Sequence, residues 1–332
     1  MRSKQLQAIL DAKTKPIGAL GRLENLAVHA ASILGRTGKV PSASLTIFAA
    51  DHGIAEEGVS AFPQEVTGQM VLNFLAGGAA ANVMAAELGV PVTIVDCGVA
   101  RPPPAADRLV DMRLGPGTAN SAHKPAMSVE CAHKAVLQGR AYGAAIENGI
   151  ACFGEMGIAN SSAATLLAHK LSAIPVADLV GRGTGIDNER LAHKQTILER
   201  AAARTGLLTP IEALAEVGGF EIGTMAGAMI GAGGARRIVL VDGFIATAAA
   251  ALARAIEPTC ASAFIYAHRS VEHGHGALLD WLGAEPLLDM DMRLGEGTGA
   301  LLAVPIVRAA LSLFDMASFA DAGVSTSTAD AS

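Results

Sequence analysis

The sequence has 332 residues, of which 51% are hydrophobic and 4% aromatic, and it carries a formal net charge of -6. This length suits one large α/β domain with an accessory piece, or two modest domains. Mild acidity without a concentrated basic face argues against a nucleic-acid partner. Charged residues interrupt the longest apolar runs before the roughly 20 residues of a membrane span, which argues against a membrane protein.

The first fifteen residues contain no apolar signal-peptide core, so we expect a cytoplasmic protein. The four cysteines are scattered and form no C-x-x-C pair. In a cytoplasmic protein they are most simply reduced residues of the core.

Helical patterns occupy both ends of the chain. Residues 3–12 and 21–34 form amphipathic patterns, and residues 304–320 are also typical of a helix. We therefore predict a small helical domain from residues 1–40 and 306–332, around an α/β catalytic domain of residues 41–305. The polar end, "GVSTSTADAS", is predicted to be disordered.

Five apolar runs between these ends each stop at a polar or glycine-rich turn. They are "SLTIFAADHG", "VPVTIVDCG", "GIACFGEMG", "RIVLVDGF" and "ASAFIYAHRS". Continuous apolar runs are typical of parallel strands covered on both faces, and the Ala- and Leu-rich segments between them predict crossover helices. Ligands of such sheets bind beyond the carboxyl ends of the strands, where all five polar endings should lie.

Glycine-rich turns occur at residues 115–120, 154–160, 181–187 and 295–299. None fits the dinucleotide or P-loop fingerprints. Each could be an ordinary strand-to-helix turn, or could present backbone N–H groups to an anion. Several in one sheet, with Lys194 shortly after the third, favour a monophosphate ligand.

Glu155 and Glu296 each lie in one of these glycine-rich turns. A carboxylate there could simply be solvated. Against an apolar cleft its pKa would rise, and it could act as a base near neutral pH. The pattern alone leaves both interpretations open.

Other motifs have structural interpretations. His268, His273 and His275 have loose spacing for a metal site and no paired acid or cysteine, so exposed or loop-stabilising histidines are expected. Asp51 and His52 are expected to be hydrogen-bonding residues at a strand end. The stretch "MAGAMIGAGGA" predicts a helix whose small residues lie close to the sheet.

Eight segments taken in order resemble the nicotinate-nucleotide–dimethylbenzimidazole phosphoribosyltransferase family, which makes the lower-ligand nucleotide of cobalamin. They are "TKPIGALGRLE", "ADHGIAEEGVSAFPQEVTGQMVLNFLAGGAAANV", "GTANSAHKPAMS", "GEMGIANSSAA", "VGRGTGID", "VGGFEIGTMAGAMIGA", "VDGFIATAAAAL" and "RLGEGTGALLAVPIVRAA". The sequence departs slightly from the family pattern, with Ala19 where serine is usual and Ser161-Ser162 where threonine is common.

The resemblance implies conversion of nicotinate mononucleotide and 5,6-dimethylbenzimidazole into α-ribazole 5′-phosphate and nicotinate, in one inverting displacement without a cofactor or metal. It also implies a Rossmann-like fold and a homodimer. It places the general base at Glu296 and a second acidic residue at Glu155. For the base it implies Ala61, Phe62, Gln69, Met156 and Leu294, and for the phosphoribosyl group Gly157, Asn160, Ser161, Gly183, Thr184, Lys194, Gly243 and Ser270. Positions 61 and 62 tend to vary with the base accepted.

Two other functions use the same kinds of residue. A nucleotide hydrolase would combine the anion-binding turns and carboxylates with water as the nucleophile. A non-catalytic nucleotide sensor would use the turns alone. A dehydrogenase is disfavoured because the dinucleotide fingerprint is missing.

Overall fold

The computed structural model describes residues 3–38, 41–183 and 185–324, and a six-stranded parallel sheet forms its centre. The strands are β1 (Ala43–Ala50), β2 (Val92–Gly98), β3 (Leu109–Asp111), β4 (Ile150–Met156), β5 (Ile238–Val241) and β6 (Phe264–Tyr266). In space they lie in the order β3-β2-β1-β4-β5-β6, which is the Rossmann arrangement. A separate parallel pair is formed by β7 (His268–Arg269) and β8 (Leu288–Asp289).

Helices connect and cover the strands. They are α1 (Ser3–Asp11), α2 (Arg22–Leu34), α3 (Val66–Ala76), α4 (Ala80–Glu87), α5 (Val129–Ala144), α6 (Asn160–Ser172), α7 (Val176–Leu179), α8 (Asn188–Ala203), α9 (Pro210–Val217), α10 (Phe220–Gly234), α11 (Phe244–Ile256), α12 (His273–Leu282) and α13 (Thr298–Ser312). Short 3-10 helices span Gly53–Glu57, Pro258–Ala263 and Leu313–Asp315.

The central strands are covered on both faces. Consecutive residues of a strand point to opposite faces, yet nearly every residue of β1 and β4 is buried. The predicted parallel α/β fold is therefore confirmed. Three of the four cysteines, Cys97, Cys152 and Cys260, are buried and Cys131 is partly buried, and all four are free thiols, as expected.

The helix α10 lies against strands β1, β2, β4 and β5, as predicted, and its glycines also contact a second helix. A Cβ on Gly227 or Gly231 would collide with backbone carbonyls of α5, and Gly139 and Gly143 of α5 face α10 in the same way. At these glycines the close approach is between two helices. Glycines four apart lie on one helix face, and here that face meets the matching glycines of α5.

The two ends of the chain lie together. Lys13 forms an antiparallel bridge with Ser318, and α2 contacts both α1 and α13. A buried ion pair, 2.9 Å from Lys15 Nζ to Glu24 Oε1, closes the loop between α1 and α2. The predicted domain boundary between residues 305 and 306 falls inside α13, which crosses it as one helix. The division into two domains stays a prediction. Residues 325–332 of the predicted disordered tail lie outside the described part of the chain.

The helix α13 extends from the carboxyl ends of the strands to their amino ends. It begins after the glycine-rich turn that contains Glu296, at the carboxyl edge. Near its other end, Arg308 donates hydrogen bonds to the backbone carbonyls of Pro41 (3.4 Å) and Leu88 (3.3 Å), which precede β1 and β2. The turn is thus joined to a helix that is anchored at the opposite edge.

Two segments, Val66–Glu87 and Thr298–Asp315, are long and apolar enough to cross a membrane by length and composition alone. The first consists of two separate helices, α3 and α4, each far shorter than a span requires. The second is 56% buried within the protein. The second therefore has the character of a core helix, and the expected lack of a membrane partner stays a prediction.

Candidate active site

A cavity of about 730 Å³ opens at the carboxyl edge of the sheet, beside the end of β4. The strand order reverses between β1 and β4, and ligands of doubly wound sheets bind at such a point. The predicted site residues that line the cavity are Phe62, Glu155, Met156, Gly157, Asn160, Ser161, Gly183, Lys194, Gly243, Ser270, Leu294 and Glu296. The structure thus brings both glutamates, the apolar residues and the glycine-rich turns together.

Three predicted residues are not among those that line the cavity. Ala61 and Gln69 are exposed near its rim, where Phe62, Val66 and Met70 form the wall instead. Thr184 lies outside the described residues. The functional roles assigned to the site residues stay predictions.

The structure also adds cavity residues that the sequence did not indicate. They include Arg182, His268, Glu272, Ile245 and Arg293. Arg182 lies within a predicted anion-binding turn, and Glu272 lies two residues after Ser270. Closeness in sequence to a predicted site residue was the only signal that could have identified these two.

The turn that carries Glu296 has left-handed backbone at three consecutive residues. The φ angles are 82° at Gly295, 61° at Glu296 and 80° at Gly297. A non-glycine residue pays a conformational cost there, and such strain is concentrated at functional sites. On β4, a Cβ at Gly154 would collide with the backbone of Glu296. Because Gly154 has no side chain, the turn can lie directly against β4.

Asp242, just after β5, holds this turn from the sheet side. Its carboxylate accepts hydrogen bonds from the backbone N–H groups of Gly297 (3.2 Å) and Ala300 (2.9 Å), in the first turn of α13. A negative charge at a helix N-terminus is stabilised by the exposed donors and the helix dipole. His268 Nε2 lies 3.7 Å from the same carboxylate. Glu296 is thus positioned by a buried residue that the sequence had marked only as a strand ending.

The two glutamates are nearly buried and both are harder to ionise than usual. Burial, reinforced by the charge of Asp242, raises the pKa of Glu155 to about 8, although a hydrogen bond from the Asn160 amide acts in the opposite direction. Burial also raises the pKa of Glu296, with the charge of Asp242 adding to it and a hydrogen bond from the Ala81 backbone opposing it. Among the described residues, Glu296 Oε2 has no hydrogen-bond partner.

The opposite end of the cavity combines a helix N-terminus with a buried lysine. Ala159, Asn160 and Ser161 line the cavity where α6 begins. Lys194 Nζ donates to Ser161 Oγ at 3.0 Å and to the Gly181 carbonyl at 3.1 Å. Burial lowers the pKa of Lys194 to about 8, while Glu272 opposes this effect. Together these groups can bind an anion such as a phosphate.

A buried ion pair supports the floor of the cavity. His52 Nε2 lies 2.7 Å from Glu221 Oε1, and a Cβ on Gly157 would approach His52 Nε2 to 3.2 Å. Asp51 accepts a hydrogen bond of 2.7 Å from the Ala100 N–H. Asp51 and His52 therefore have the structural role expected of them.

The histidines after β6 lie in different environments, although the rings of His268 and His275 are in edge contact with centroids 6.2 Å apart. His273 is exposed, whereas His275 is buried and accepts a 2.9 Å hydrogen bond from the Ser270 N–H at Nδ1. Its Nε2 must then carry the proton, which is donated to Thr247 Oγ1 at 2.9 Å. Burial lowers the pKa of His275 to about 3. His275 is thus a neutral imidazole that stabilises the loop at Ser270. A loop-stabilising role was one of the two roles expected for these histidines.

Comparisons with known proteins show which family the chain belongs to. A family model described as phosphoribosyltransferase matches residues 2–324. The nicotinate-nucleotide–dimethylbenzimidazole phosphoribosyltransferase of Cupriavidus necator is 51% identical over 98% of this chain and 95% of its own length. The enzyme of the same name from Chloroflexus aggregans is 48% identical over 95% of this chain and 91% of its own.

A solved structure gives the same result at the level of the fold. The crystal structure of CobT from Thermus thermophilus superposes with a TM-score of 0.94 at 42% identity, covering 98% of this chain and 99% of that one. The match extends over both the sheet and the terminal helices. The chain therefore belongs to the nicotinate-nucleotide–dimethylbenzimidazole phosphoribosyltransferase family.

Proposed function

We propose that this protein transfers the phosphoribosyl group of nicotinate mononucleotide to 5,6-dimethylbenzimidazole, in a single displacement that inverts C1′ and uses Glu296 as the general base. The observation that carries the proposal is the placement of the Glu296 carboxylate in the same cavity as the Lys194 anion site. The apolar surface of Met156 and Leu294 lies at the same end as the carboxylate and suits a flat aromatic base.

The departure of nicotinate needs no acid catalyst. Its glycosidic nitrogen is a pyridinium, so the bond electrons return to a positively charged ring. As the bond breaks, positive charge develops on the ribose, and a nearby carboxylate stabilises it. Glu155 serves this role. Its pKa of about 8 leaves it largely protonated in the empty cavity, and the cationic ring of the bound nucleotide favours its ionised form.

The attacking base enters neutral and must lose a proton. One ring nitrogen forms the new bond to C1′, and the N–H on the other nitrogen then becomes strongly acidic. The Glu296 carboxylate, which lines the cavity, accepts that proton. Because attack occurs opposite the departing nicotinate, a β-riboside becomes an α-riboside.

The buried lysine binds the phosphate of the nucleotide. We expect Lys194→Gln to raise the KM for nicotinate mononucleotide by about 10- to 100-fold, since a charged hydrogen bond is lost. In the unmodified enzyme, kcat/KM for the nucleotide should fall as the pH rises above about 8, because Lys194 then loses its charge. The variant should lack this fall. Steady-state kinetics from slightly acidic to alkaline pH test this, and an unchanged KM contradicts the assignment.

The reaction itself is tested by its product. Incubation with nicotinate mononucleotide and a panel of bases should give an α-nucleotide, identified by mass and by the NMR signal of the anomeric proton. A hydrolase would instead release ribose 5-phosphate in the absence of any base. A nucleotide sensor would bind the nucleotide in calorimetry and form no product. Either result contradicts the proposal.

A further inference from the structure

Glu272 places a carboxylate at the anion-binding end of the cavity, where an acidic residue is unexpected. It immediately precedes α12 and lines the cavity together with Lys194 and Gly183. Its Oε1 accepts a 2.9 Å hydrogen bond from the Gly183 N–H. A Cβ on Gly181 would collide with the same carboxylate. The carboxylate therefore lies directly over the 181–183 turn, which is open to it only because position 181 has no side chain.

The contacts of this carboxylate are those that a phosphate oxygen makes in a glycine-rich anion site. A backbone N–H of the turn donates to it, and the positive charge of Lys194 lies close enough to interact with it electrostatically. Lys194 is only 1% exposed, and its two hydrogen-bond partners, Ser161 and Gly181, are neutral. A buried ammonium without an anion is unstable, so the charge of Glu272 stabilises it.

We propose that Glu272 is an internal substitute for the substrate's phosphate: its carboxylate occupies part of the phosphate site in the free protein and leaves the Gly183 N–H when a phosphate binds. This inference rests on the proposed function only in placing the phosphate at Lys194. A ligand must then replace an anion that is already present. A phosphate dianion can do so, whereas singly charged anions and unphosphorylated nucleosides cannot. Glu272 is thus a specificity-determining residue.

Binding of inorganic phosphate to the intact enzyme tests this without any turnover. Calorimetry near neutral pH, where Lys194 is mostly protonated and much of the inorganic phosphate is the dianion, should show Glu272→Gln binding phosphate about tenfold more tightly than the unmodified enzyme. The variant removes one like charge from the site, and its amide oxygen can still accept from Gly183. Glu130→Gln, on the exposed side of α5, is the matched control and should leave phosphate binding unchanged.

Equal or weaker phosphate binding by Glu272→Gln overturns the proposal. A loss of affinity for unphosphorylated ribose, with phosphate binding unchanged, would also overturn it. Glu272 would then bind ribose hydroxyls and would not substitute for the phosphate. Thermal unfolding monitors the fold of each variant. If Glu272→Gln does not fold, Glu272→Asp replaces it, because a side chain shorter by one methylene cannot keep the Gly183 contact and should also bind phosphate more tightly. Absence of α-nucleotide product would contradict the proposed function but not this result.

Discussion

Glu296→Gln is expected to bind both substrates and to turn over about 100- to 10,000-fold more slowly than the unmodified enzyme, the usual contribution of a positioned general base. Glutamine has nearly the same shape and can keep the hydrogen bond from Ala81, but it cannot accept a proton. Binding measured by calorimetry and turnover measured by product formation separate the two effects.

The pH dependence of the same variant provides an independent check. In the unmodified enzyme, the rate should fall as the pH drops through the raised pKa of Glu296, because the base becomes protonated. Glu296→Gln should lose the part of this fall that Glu296 contributes and keep only the part that ionisation of Glu155 contributes. Full turnover in the variant, or an acid limb identical to that of the unmodified enzyme, would remove Glu296 as the base.

Gly297→Val is expected to lower turnover by at least about 100-fold, the effect of displacing a catalytic group by roughly 1 Å. The φ of 80° is unfavourable for valine, and its Cβ would lie 2.5 Å from Leu45 Cδ1. Strain and overpacking together cost about 2–5 kcal/mol, less than the stability of most domains of this kind. The variant should therefore fold, with a lower melting temperature, and circular dichroism and activity measured on one sample test this.

Gly77→Val is the matched control for this variant. Gly77 has a similar φ of 83°, but a Cβ there meets nothing within 4 Å. It should cost stability through backbone strain while leaving turnover near normal. Normal activity in Gly297→Val, or equal loss in both variants, would show that the geometry of the 295–297 turn does not control catalysis.

The sheet was largely predictable because its signal is local. Each of the five predicted runs is apolar over most of its length, and each contributes to the sheet or ends at the cavity. The edge strand β3, Leu109–Asp111, was missed because it has only three residues and none is buried. A strand this short and half-covered shows neither a continuous apolar run nor a clear alternation.

The candidate site was predictable where a residue lies within a glycine-rich turn, as Glu155 and Glu296 do. It was not predictable where a contact joins distant parts of the chain. Asp242 holds the start of α13 from 55 residues away, and Glu272 reaches Gly183 across 89. The contact of the α10 glycines with α5 was likewise not predicted. Such contacts depend on how helices pack, which no short pattern records.

The anchoring of α13 affects the two walls of the cavity differently. Asp242 fixes its beginning at one edge of the sheet, and Arg308 fixes its far end at the other. The proposed proton acceptor, Glu296, therefore lies in a turn whose helix is fixed at both ends. On the facing rim, Phe62 is 49% exposed and not enclosed by the core. A substitution at this position can therefore reshape the cavity mouth without disturbing the helix that carries the glycine-rich turn.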